Sequence, residues 1–319
     1  MKQILFMMPS YYNFNDVVAD GLKKYSNCGI NSIDTVGNQA YRHVFDRIVN
    51  FMSKVFLNRN LKPEMKRKLF FELIDRHSEY EYLIVNRPDI IGDEILAKAI
   101  SKSKKTVLLL WDSLDKIPIN KDLVAKFDKK FSFDSWDCSE YGFKKIENFH
   151  FFENSNPLVT IKHDVVFLGT LDNRINDLKK ILSYLSKNQK NAKAFVYVPS
   201  GKNLNKQDSI EILKSIVPFK NSEVYALSAK VILDLAHPNQ RGLSFRVFEA
   251  MALNRKLITT NKHIKEYDFY TENNIFIIDD LNKISIPNSF WNTPYKDLPT
   301  SIVEKYHIKN WVTKILNEK

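Results

Sequence analysis

KVILDLAHPNQRGLSFRVFEAMALNRKLITTN, residues 230–261, places a helix-like run between two strand-like runs. Lys230 to Ala236 is largely apolar, as is typical of a strand buried on both faces of a parallel sheet. Leu243 to Leu253 carries apolar residues at helical spacing, and Leu257 to Thr260 is a second buried strand. The stretch therefore predicts a βαβ unit, from which α/β domains are built.

The loop between the first strand and the helix is polar and runs from His237 to Gly242. It contains a turn-permissive glycine and the guanidinium of Arg241, and it opens directly onto the start of the helix. A helix N-terminus presents unpaired N–H groups and a positive dipole end, so this loop is suited to holding a phosphate. Glu249, two turns into the helix, stands where an α/β helix faces either its sheet or a ligand.

Composition limits the classes of protein to which the chain can belong. At 319 residues and 44% hydrophobic, it can bury a substantial core, and its length favours about two domains. Its two cysteines, Cys28 and Cys138, form no CxxC pair. We therefore expect a reduced, cytoplasmic protein without a structural zinc.

Apolar runs and net charge bear on the partners of the chain. Runs such as Ile4 to Met8 and Val107 to Trp111 are strand-length, far short of the roughly 20 residues that span a bilayer. This predicts a soluble or peripheral protein. A formal charge of +11 implies attraction to nucleic acid, to an anionic membrane surface or to phosphorylated small molecules, and charge alone does not choose among them.

Strand and helix patterns alternate along the whole chain. The predicted strands of the first half are Gln3–Met8, Asn31–Val36, Tyr82–Asn86, Thr106–Trp111, Lys130–Phe133 and His150–Phe152. The pattern restarts with a strand at Asp164–Leu168, a helix at Ile175–Ser186, a strand at Ala194–Val198, a helix at Asp208–Ile216 and the βαβ unit, and it ends with a strand at Ile275–Ile278 and a helix at Ser301–Leu316. The fold class predicted from this alternation is α/β, with two tandem Rossmann-like doubly wound domains that face a cleft.

The domain boundaries follow from a break in periodicity. Residues 153–163 are polar and aperiodic, which predicts the interdomain linker. We expect an N-terminal domain at 1–153, a C-terminal domain at 164–300 and a terminal helix, 301–319, that packs back on the first domain.

Residues 41–76 differ from the rest of the first domain because they read as two amphipathic helices, Tyr41–Leu57 and Pro63–Arg76. Aromatic and aliphatic residues are interleaved there with basic ones, among them Arg42, Arg47, Lys54, Arg59, Lys62, Lys66, Arg67 and Lys68. One interpretation is a surface that rests on an anionic membrane leaflet. The other is that the phenylalanines pack on the first sheet and the lysines face water.

Two loops of the second domain share the same chemistry. Gly169, Thr170 and Arg174 follow one predicted strand, and Arg241 to Ser244 follow another. Each loop offers a glycine for close backbone approach, an arginine and a helix N-terminus, which together suit a diphosphate. Glu249 lies on the helix after the second loop, where its carboxylate can accept hydrogen bonds from the hydroxyls of a ribose.

Three stretches resemble a known family. They are RGLSFRVFEAMALNRKLITTN, Val165 to Gly169 with Arg174, and Trp111-Asp112-Ser113 followed by Phe131 to Asp134. These residues are similar to those of the two-domain, GT-B-fold glycosyltransferases that build bacterial lipopolysaccharide, O-antigen and capsule. The resemblance extends over nearly the whole chain, and its C-terminal motif is the most specific part.

The resemblance implies a nucleotide-sugar donor in the C-terminal domain, a glycan or lipid-linked glycan acceptor on the N-terminal domain, and no metal or other cofactor. It implies that Glu249 takes the ribose, that Arg241, Gly242, Leu243 and Ser244 form the diphosphate loop, and that Arg174 makes a second phosphate contact. The chain departs from the commonest pattern because Arg241 stands where a second acid is usual. The loop after the first strand also lacks paired glycines. The identity of the donor and the stereochemistry therefore stay open.

Catalytic candidates follow from the need to remove a proton from an acceptor hydroxyl in an inverting transfer. Asp112, at the end of a buried strand, is the first candidate base, and it has an alternative role as a cap on the following segment. His237 and Asp89 are further candidates, and Asp16 is a weaker one.

The donor-site residues also have plain structural interpretations. Glu249 can be a solvated residue or a partner of Arg246, Arg174 and Arg241 can be surface arginines, and Gly169 can serve a tight turn.

Three classes of function remain at this stage. The first is a metal-independent hexosyl- or pentosyltransferase, peripheral on the inner face of the cytoplasmic membrane. The second is a basic nucleic-acid-binding protein, although the lysines are scattered and no recognition motif is present. The third is a non-catalytic nucleotide- or sugar-binding module on a transferase scaffold.

Overall fold

The computed structural model describes residues 1–37, 48, 50–54, 61–153, 159–205, 207–238 and 241–317. The chain divides into two compact units, which are Met1–Ile146 with Val312–Lys319, and Glu147–Trp311. Most of the predicted helix 41–57 and residues 154–158 of the predicted linker lie outside the described residues. The predicted domain boundaries therefore stay predictions.

The first unit contains one six-stranded parallel sheet. Its strands are β1 (Gln3–Met8), β2 (Gly29–Asp34), β3 (Tyr80–Val85), β4 (Ser103–Leu110), β5 (Lys129–Ser132) and β6 (Lys144–Lys145). The strand order is β2-β1-β3-β4-β5-β6, so the direction of winding reverses between β1 and β3. Ligands of open α/β sheets bind outside the carboxyl ends of the strands at such a switch point.

The helices of the first unit are α1 (Phe14–Tyr25), α2 (Lys62–Ile74), α3 (Asp93–Ser101), α4 (Lys121–Val124) and α5 (Ser135–Tyr141). On one face of the sheet, Phe70 and Ile74 of α2 and Leu96 of α3 are buried with Leu83 and Leu108. Phe70 of α2 therefore packs in the core and Phe71 packs against it, as the second interpretation of this segment predicts.

The second unit contains another six-stranded parallel sheet. Its strands are β7 (His163–Thr170), β8 (Ala192–Tyr197), β9 (Ile210–Leu213), β10 (Ala229–Asp234), β11 (Lys256–Thr259) and β12 (Ile275–Ile277). The order β12-β11-β10-β7-β8-β9 is the Rossmann order, with its switch point between β7 and β10. Two α/β units, each with a Rossmann-like parallel sheet, confirm the prediction of two tandem Rossmann-like α/β domains.

The helices of the second unit cover both faces of its sheet. They are α6 (Ile175–Lys187), α7 (Glu223–Leu227), α8 (Phe245–Ala252), α9 (Asn288–Asn292) and α10 (Thr300–Lys305), and α11 (Ile308–Asn317) ends in the first unit. Leu178 and Ile181 of α6 pack on one face, whereas Val247 and Phe248 of α8 pack on the other. No helix among the described residues is long and apolar enough to cross a membrane.

Three predicted elements are wrong. The helix predicted at 208–216 is instead the edge strand β9, in which Ile210 pairs with Ala194 of β8. Ile210 and Ile212 are two residues apart, which is the spacing of one face of a strand. Residues 150–152 form only an isolated bridge between His150 and His307. The same contact divides the predicted terminal helix, since the His150 N–H donates to the Tyr306 carbonyl and the Ile308 N–H donates to the His150 carbonyl.

His150 makes the stability of the chain depend on pH. Its Nε2–H donates to the Val303 carbonyl at 2.9 Å, and its buried Nδ1 has no hydrogen-bond partner among the described residues. Burial, with the nearby His307, lowers the pKa of His150 to about 4. The unfolded chain takes up this proton near pH 6.5. The free energy of unfolding should therefore fall as the pH drops from about 6.5 to about 4.

This prediction is tested by chemical unfolding at several pH values. His150→Gln keeps an amide donor for Val303 and removes the titration, so the variant should lose this part of the pH dependence. His163→Gln, at a half-buried histidine, is the matched control and should keep it. An identical pH dependence in the wild type and His150→Gln would contradict the assignment.

Candidate functional site

The two loops singled out in the sequence meet at the switch point of the second sheet. β7 and β10 are hydrogen-bonded neighbours, with Val165 opposite Val231. The loops that leave their carboxyl ends therefore lie side by side. A guanidinium N–H of Arg174, after β7, donates to the carbonyl of Leu235, after β10. The fold thus joins two segments that are about sixty residues apart in sequence.

A cavity of about 320 Å³ opens at this edge of the sheet. Arg174 and His237 line it together with the basic side chains of Lys262 and His263, which follow β11. Asp177, in the first turn of α6, also lines it. Cationic side chains and the N-terminus of α6 in one cavity at a Rossmann switch point favour an anionic ligand.

Asp172 holds Arg174. The Arg174 Nε donates to both Asp172 oxygens at 3.1 Å, and its Nη2 donates to Oδ2 at 2.5 Å. Burial opposes ionisation of Asp172, but hydrogen bonds from the Arg174 side chain and backbone lower the pKa of its carboxyl below the usual value. Arg174 is therefore a fixed, partly neutralised cation at the start of α6.

His237 is half-buried beside the same carboxylate, with Nε2 3.9 Å from Asp172 Oδ2. The structure thus brings two of the predicted site residues, Arg174 and His237, into one cluster around a carboxylate that the sequence analysis did not select.

The N-terminus of α8 is held from two sides. The Ser244 hydroxyl accepts from the Arg246 N–H at 3.2 Å, which caps the helix, and donates to the buried Asp234 carboxylate at 2.7 Å. The Asn261 side-chain amide donates to the Gly242 carbonyl at 3.1 Å. These contacts fix the predicted diphosphate loop against the end of its own strand and the loop after β11.

The other predicted residues of this loop differ in accessibility. Arg241 is exposed, whereas the Leu243 side chain is buried in the core, so Leu243 offers only its main chain to a ligand. Its carbonyl already accepts from the Asn148 amide at 2.8 Å. Residues 239 and 240 lie outside the described residues.

Glu249 is buried, with 4% of its surface exposed. The Ser222 hydroxyl donates to its Oε1 at 2.6 Å, and the Arg246 guanidinium donates to Oε2. Its carboxylate is thus held by one neutral and one charged partner. The pairing with Arg246 foreseen as an alternative is present, and contact with a ribose stays a prediction.

Gly169 and Thr170 end β7 and do not form a turn. Gly169 pairs with Val196, and a Cβ at this position would lie 2.7 Å from the ring of Phe167. The glycine therefore makes room for a side chain of its own strand. Thr170, the last residue of the strand, is half-buried at the carboxyl edge.

The catalytic candidates Asp112 and Asp89 lie at the carboxyl edge of the first sheet. Asp112 follows β4, and its Oδ1 accepts from the Lys116 Nζ at 2.5 Å. Asp89 follows β3 at the switch point and receives bidentate hydrogen bonds from Arg87. The hydrogen bonds that Arg87 donates to Asp89, with smaller contributions from the charges of Asp89, Tyr11 and Asp112, raise the pKa of the Arg87 guanidinium.

Sequence reasoning missed Asp172, Ser222 and Asn261. Asp172 had a readable signal because it lies two residues before Arg174 in the same polar loop. Ser222 had none, since it is 27 residues from the carboxylate that it contacts.

Metal independence stays a prediction. Within the described ranges, no group of three His, Cys, Asp or Glu side chains is placed to hold a metal ion.

No protein-family model matches the sequence, and comparison with curated proteins finds no significant relative. Among solved structures, the chain is similar to a glycosyltransferase from Rickettsia africae ESF-5, with a TM-score of 0.54 and 11% identity over 100% of this chain and 99% of that chain. The UDP-GlcNAc 2-epimerase from Neisseria meningitidis gives a TM-score of 0.46 and 10% identity over 100% of this chain and 95% of that chain. SnogD, a glycosyltransferase from Streptomyces nogalater, gives 0.45 and 11% with the same coverage. The chain therefore has a glycosyltransferase-like fold, and at these identities the likeness concerns the fold alone.

Proposed function

We propose that this chain is a glycosyltransferase that moves a sugar from a nucleotide-sugar donor to a glycan of the bacterial cell surface. The observation that carries the proposal is the cavity at the switch point of the second sheet, where Arg174, His237 and Lys262 lie beside the N-terminus of α6. This is where doubly wound sheets bind nucleotides, and its charge suits a diphosphate.

The chemistry of sugar transfer fits these side chains. When the glycosidic bond to the donor breaks, negative charge develops on the departing nucleoside diphosphate. Prearranged N–H donors such as those of Arg174 and the α8 N-terminus stabilise that charge in the transition state. An inverting transfer also needs a base for the acceptor hydroxyl, and we assign this role to Asp112 with Asp89 as the alternative. The lipopolysaccharide or capsule acceptor rests on the sequence resemblance.

Nucleotide binding is the first test of the proposal. We expect one class among uridine, guanosine, adenosine and cytidine diphosphates to raise the melting temperature, because a ligand that binds only the folded state stabilises it. The gain is about 2.7 kcal/mol when the ligand is present at 100 times its Kd. Nucleoside monophosphates should stabilise the chain less, since they offer one phosphate fewer to the cavity.

Other outcomes separate the alternative functions. A melting temperature unchanged by every nucleotide would contradict the proposal, and a salt-dependent shift with generic DNA would favour nucleic-acid binding. Nucleotide binding without sugar transfer to any acceptor would favour a non-catalytic module on this scaffold.

The contacts of the residues between 48 and 68 decide which of them we assign to the proposed membrane surface. Ile48, Phe51 and Met52 are exposed, with 65% of the Phe51 surface accessible to solvent. Lys66, however, is half-buried, and its Nζ donates to the Thr35 carbonyl at 3.2 Å. Its burial, with the nearby Lys62, lowers the pKa of the Lys66 ammonium. We therefore remove Lys66 from the proposed surface.

Arg67 is less suited to an anionic leaflet than its neighbours because it pairs with Glu94 at 2.6 Å. Lys54, Lys62 and Lys68 are exposed and remain. We propose that these lysines and the exposed apolar side chains hold the enzyme near a lipid-linked acceptor.

Liposome sedimentation tests this surface. Changing Lys54, Lys62 and Lys68 to glutamate should abolish pelleting with anionic vesicles, because each basic residue near the surface contributes about 1 kcal/mol. Phe51→Ser should weaken pelleting by removing interfacial burial of the ring.

The matched control changes three exposed lysines of the second unit, Lys187, Lys214 and Lys220, to glutamate. This variant has the same net charge and should pellet like the wild type. Equal pelleting of both triple variants, or no pelleting of the wild type, would rule out the surface.

A further inference from the structure

One carboxylate connects the two loops of the cavity. Asp172 follows β7 and binds Arg174 through the Nε and Nη2 atoms, while another N–H of the same guanidinium donates to the Leu235 carbonyl after β10. The imidazole of His237, also after β10, lies 3.9 Å from Asp172 Oδ2. Asp172 thus contacts the guanidinium of its own loop and faces an imidazole of the neighbouring loop.

We propose that Asp172 is a positioning residue, which holds Arg174 and His237 in the orientation that receives the diphosphate of the donor. The inference rests on the proposed function and goes beyond it, because it assigns a role to an acid that would not itself touch the ligand. A carboxylate placed against a diphosphate repels it. The contribution of Asp172 to binding therefore passes through the side chains of Arg174 and His237.

The hydrogen bonds of Arg174 leave it able to bind an anion. A guanidinium has five N–H donors. The contacts with Asp172 and Leu235 occupy one N–H on each of its three nitrogen atoms within the described part of the chain. The two N–H groups that remain belong to Nη1 and Nη2, and their directions are set because the planar group is clamped at Nε. An arginine held in this way has less conformational freedom to lose when the ligand binds.

Asp172 also has a local structural role, and the choice of variant separates the two roles. Its Oδ1 accepts from the Arg174 backbone N–H at 2.9 Å, which stabilises the turn into α6. Asp172→Asn keeps an oxygen for this bond and removes the charge and one of the two oxygens that bind the guanidinium. A role confined to the turn therefore predicts that the variant binds nucleotide like the wild type.

Asp177→Asn is the matched control. Asp177 lines the same cavity and carries the same charge, but no hydrogen bond among the described residues joins it to Arg174. Binding is measured by titration calorimetry with whichever of UDP, GDP, ADP or CDP stabilises the wild type most. Melting temperatures recorded in parallel show that each variant is folded.

We expect Asp172→Asn to bind the nucleoside diphosphate about tenfold more weakly than the wild type, while Asp177→Asn binds at least as tightly as the wild type. Asp172→Glu restores a charged acceptor and should recover part of the loss. In a double-mutant cycle, Asp172→Asn should have little further effect in an Arg174→Ala background, because its partner is already absent. Should Asp172→Asn fail to fold, Asp172→Glu takes its place in the cycle.

The outcomes distinguish this inference from the function on which it rests. If the wild type binds a nucleotide and Asp172→Asn binds it equally well, the positioning role is overturned and the proposed function stands. Full additivity of the Asp172 and Arg174 effects has the same meaning. If the wild type binds none of the four nucleotides, the proposed function fails, and this inference fails with it.

Discussion

Asp112→Asn is expected to lower the rate of sugar transfer by roughly 100- to 10,000-fold, the usual contribution of a general base. The amide keeps the shape of the side chain but cannot accept the proton of the acceptor hydroxyl. Nucleotide affinity should be unchanged, because Asp112 belongs to the first unit and the residues proposed to bind the donor belong to the second. The measurements are the initial rate of nucleotide release and calorimetric titration with the same nucleotide.

Asp115→Asn is the matched control for Asp112. Asp115 is an exposed acid of the same loop and should tolerate the change. The ion pair with Lys116 leaves Asp112 half-exposed, with 36% of its side chain accessible. Asp89, by contrast, is held by two nitrogen atoms of Arg87. Unchanged turnover in Asp112→Asn would move the role to Asp89, Asp16 or His237, or indicate a retaining reaction without this base.

Glu249→Ala is expected to weaken nucleotide binding by about 1.5 to 3 kcal/mol, the contribution of a hydrogen bond to a charged group. Because Glu249 is buried and bonded to Ser222 and Arg246, the variant should also melt at a lower temperature. Glu249→Gln keeps the volume and an acceptor for Ser222. It should therefore lose less stability than the alanine variant and still bind nucleotide poorly.

Ser222→Ala is the control for the structural part of the Glu249 effect. It removes one hydrogen bond to the carboxylate and leaves the pair with Arg246 intact. We expect lower stability with nearly normal nucleotide affinity. If Ser222→Ala and Glu249→Gln reduce affinity equally, or if neither reduces it, Glu249 supports the packing of α8 and does not bind the ribose.

The sequence was sufficient for the fold class because the relevant signal is local. Apolar runs such as residues 165–168 and 231–233 have the length and the β-branched residues of buried strands, and helical periodicity between such runs identifies the crossover helices. The wrong assignment of β9 as a helix arose because both the helical and the strand periodicity fit the same residues. Residues 210–213 suit a strand or a helix, and only the free edge of β8 decides between them.

The sequence was sufficient to predict which two loops form the candidate site, but not which side chains contact one another there. Gly169, Arg174 and His237 mark the ends of two strands in the sequence. Nothing in the sequence shows that position 169 is a glycine because the Phe167 ring leaves no room for a Cβ, where a turn was expected. Nor does the sequence show that Leu243 is buried in the core. These assignments depend on which side chains fill the neighbouring space.

The sequence by itself determined the βα alternation, the two parallel sheets and the polar, basic character of the loops after β7 and β10. The tertiary structure decided that these two strands are neighbours, that Asp172 clamps Arg174 beside His237, and that Ser222 and Arg246 hold Glu249. The physical reason is the range of the interactions. Periodicity records the environment of each residue along one element, whereas strand order and hydrogen-bond partners are set by contacts between residues far apart in the chain.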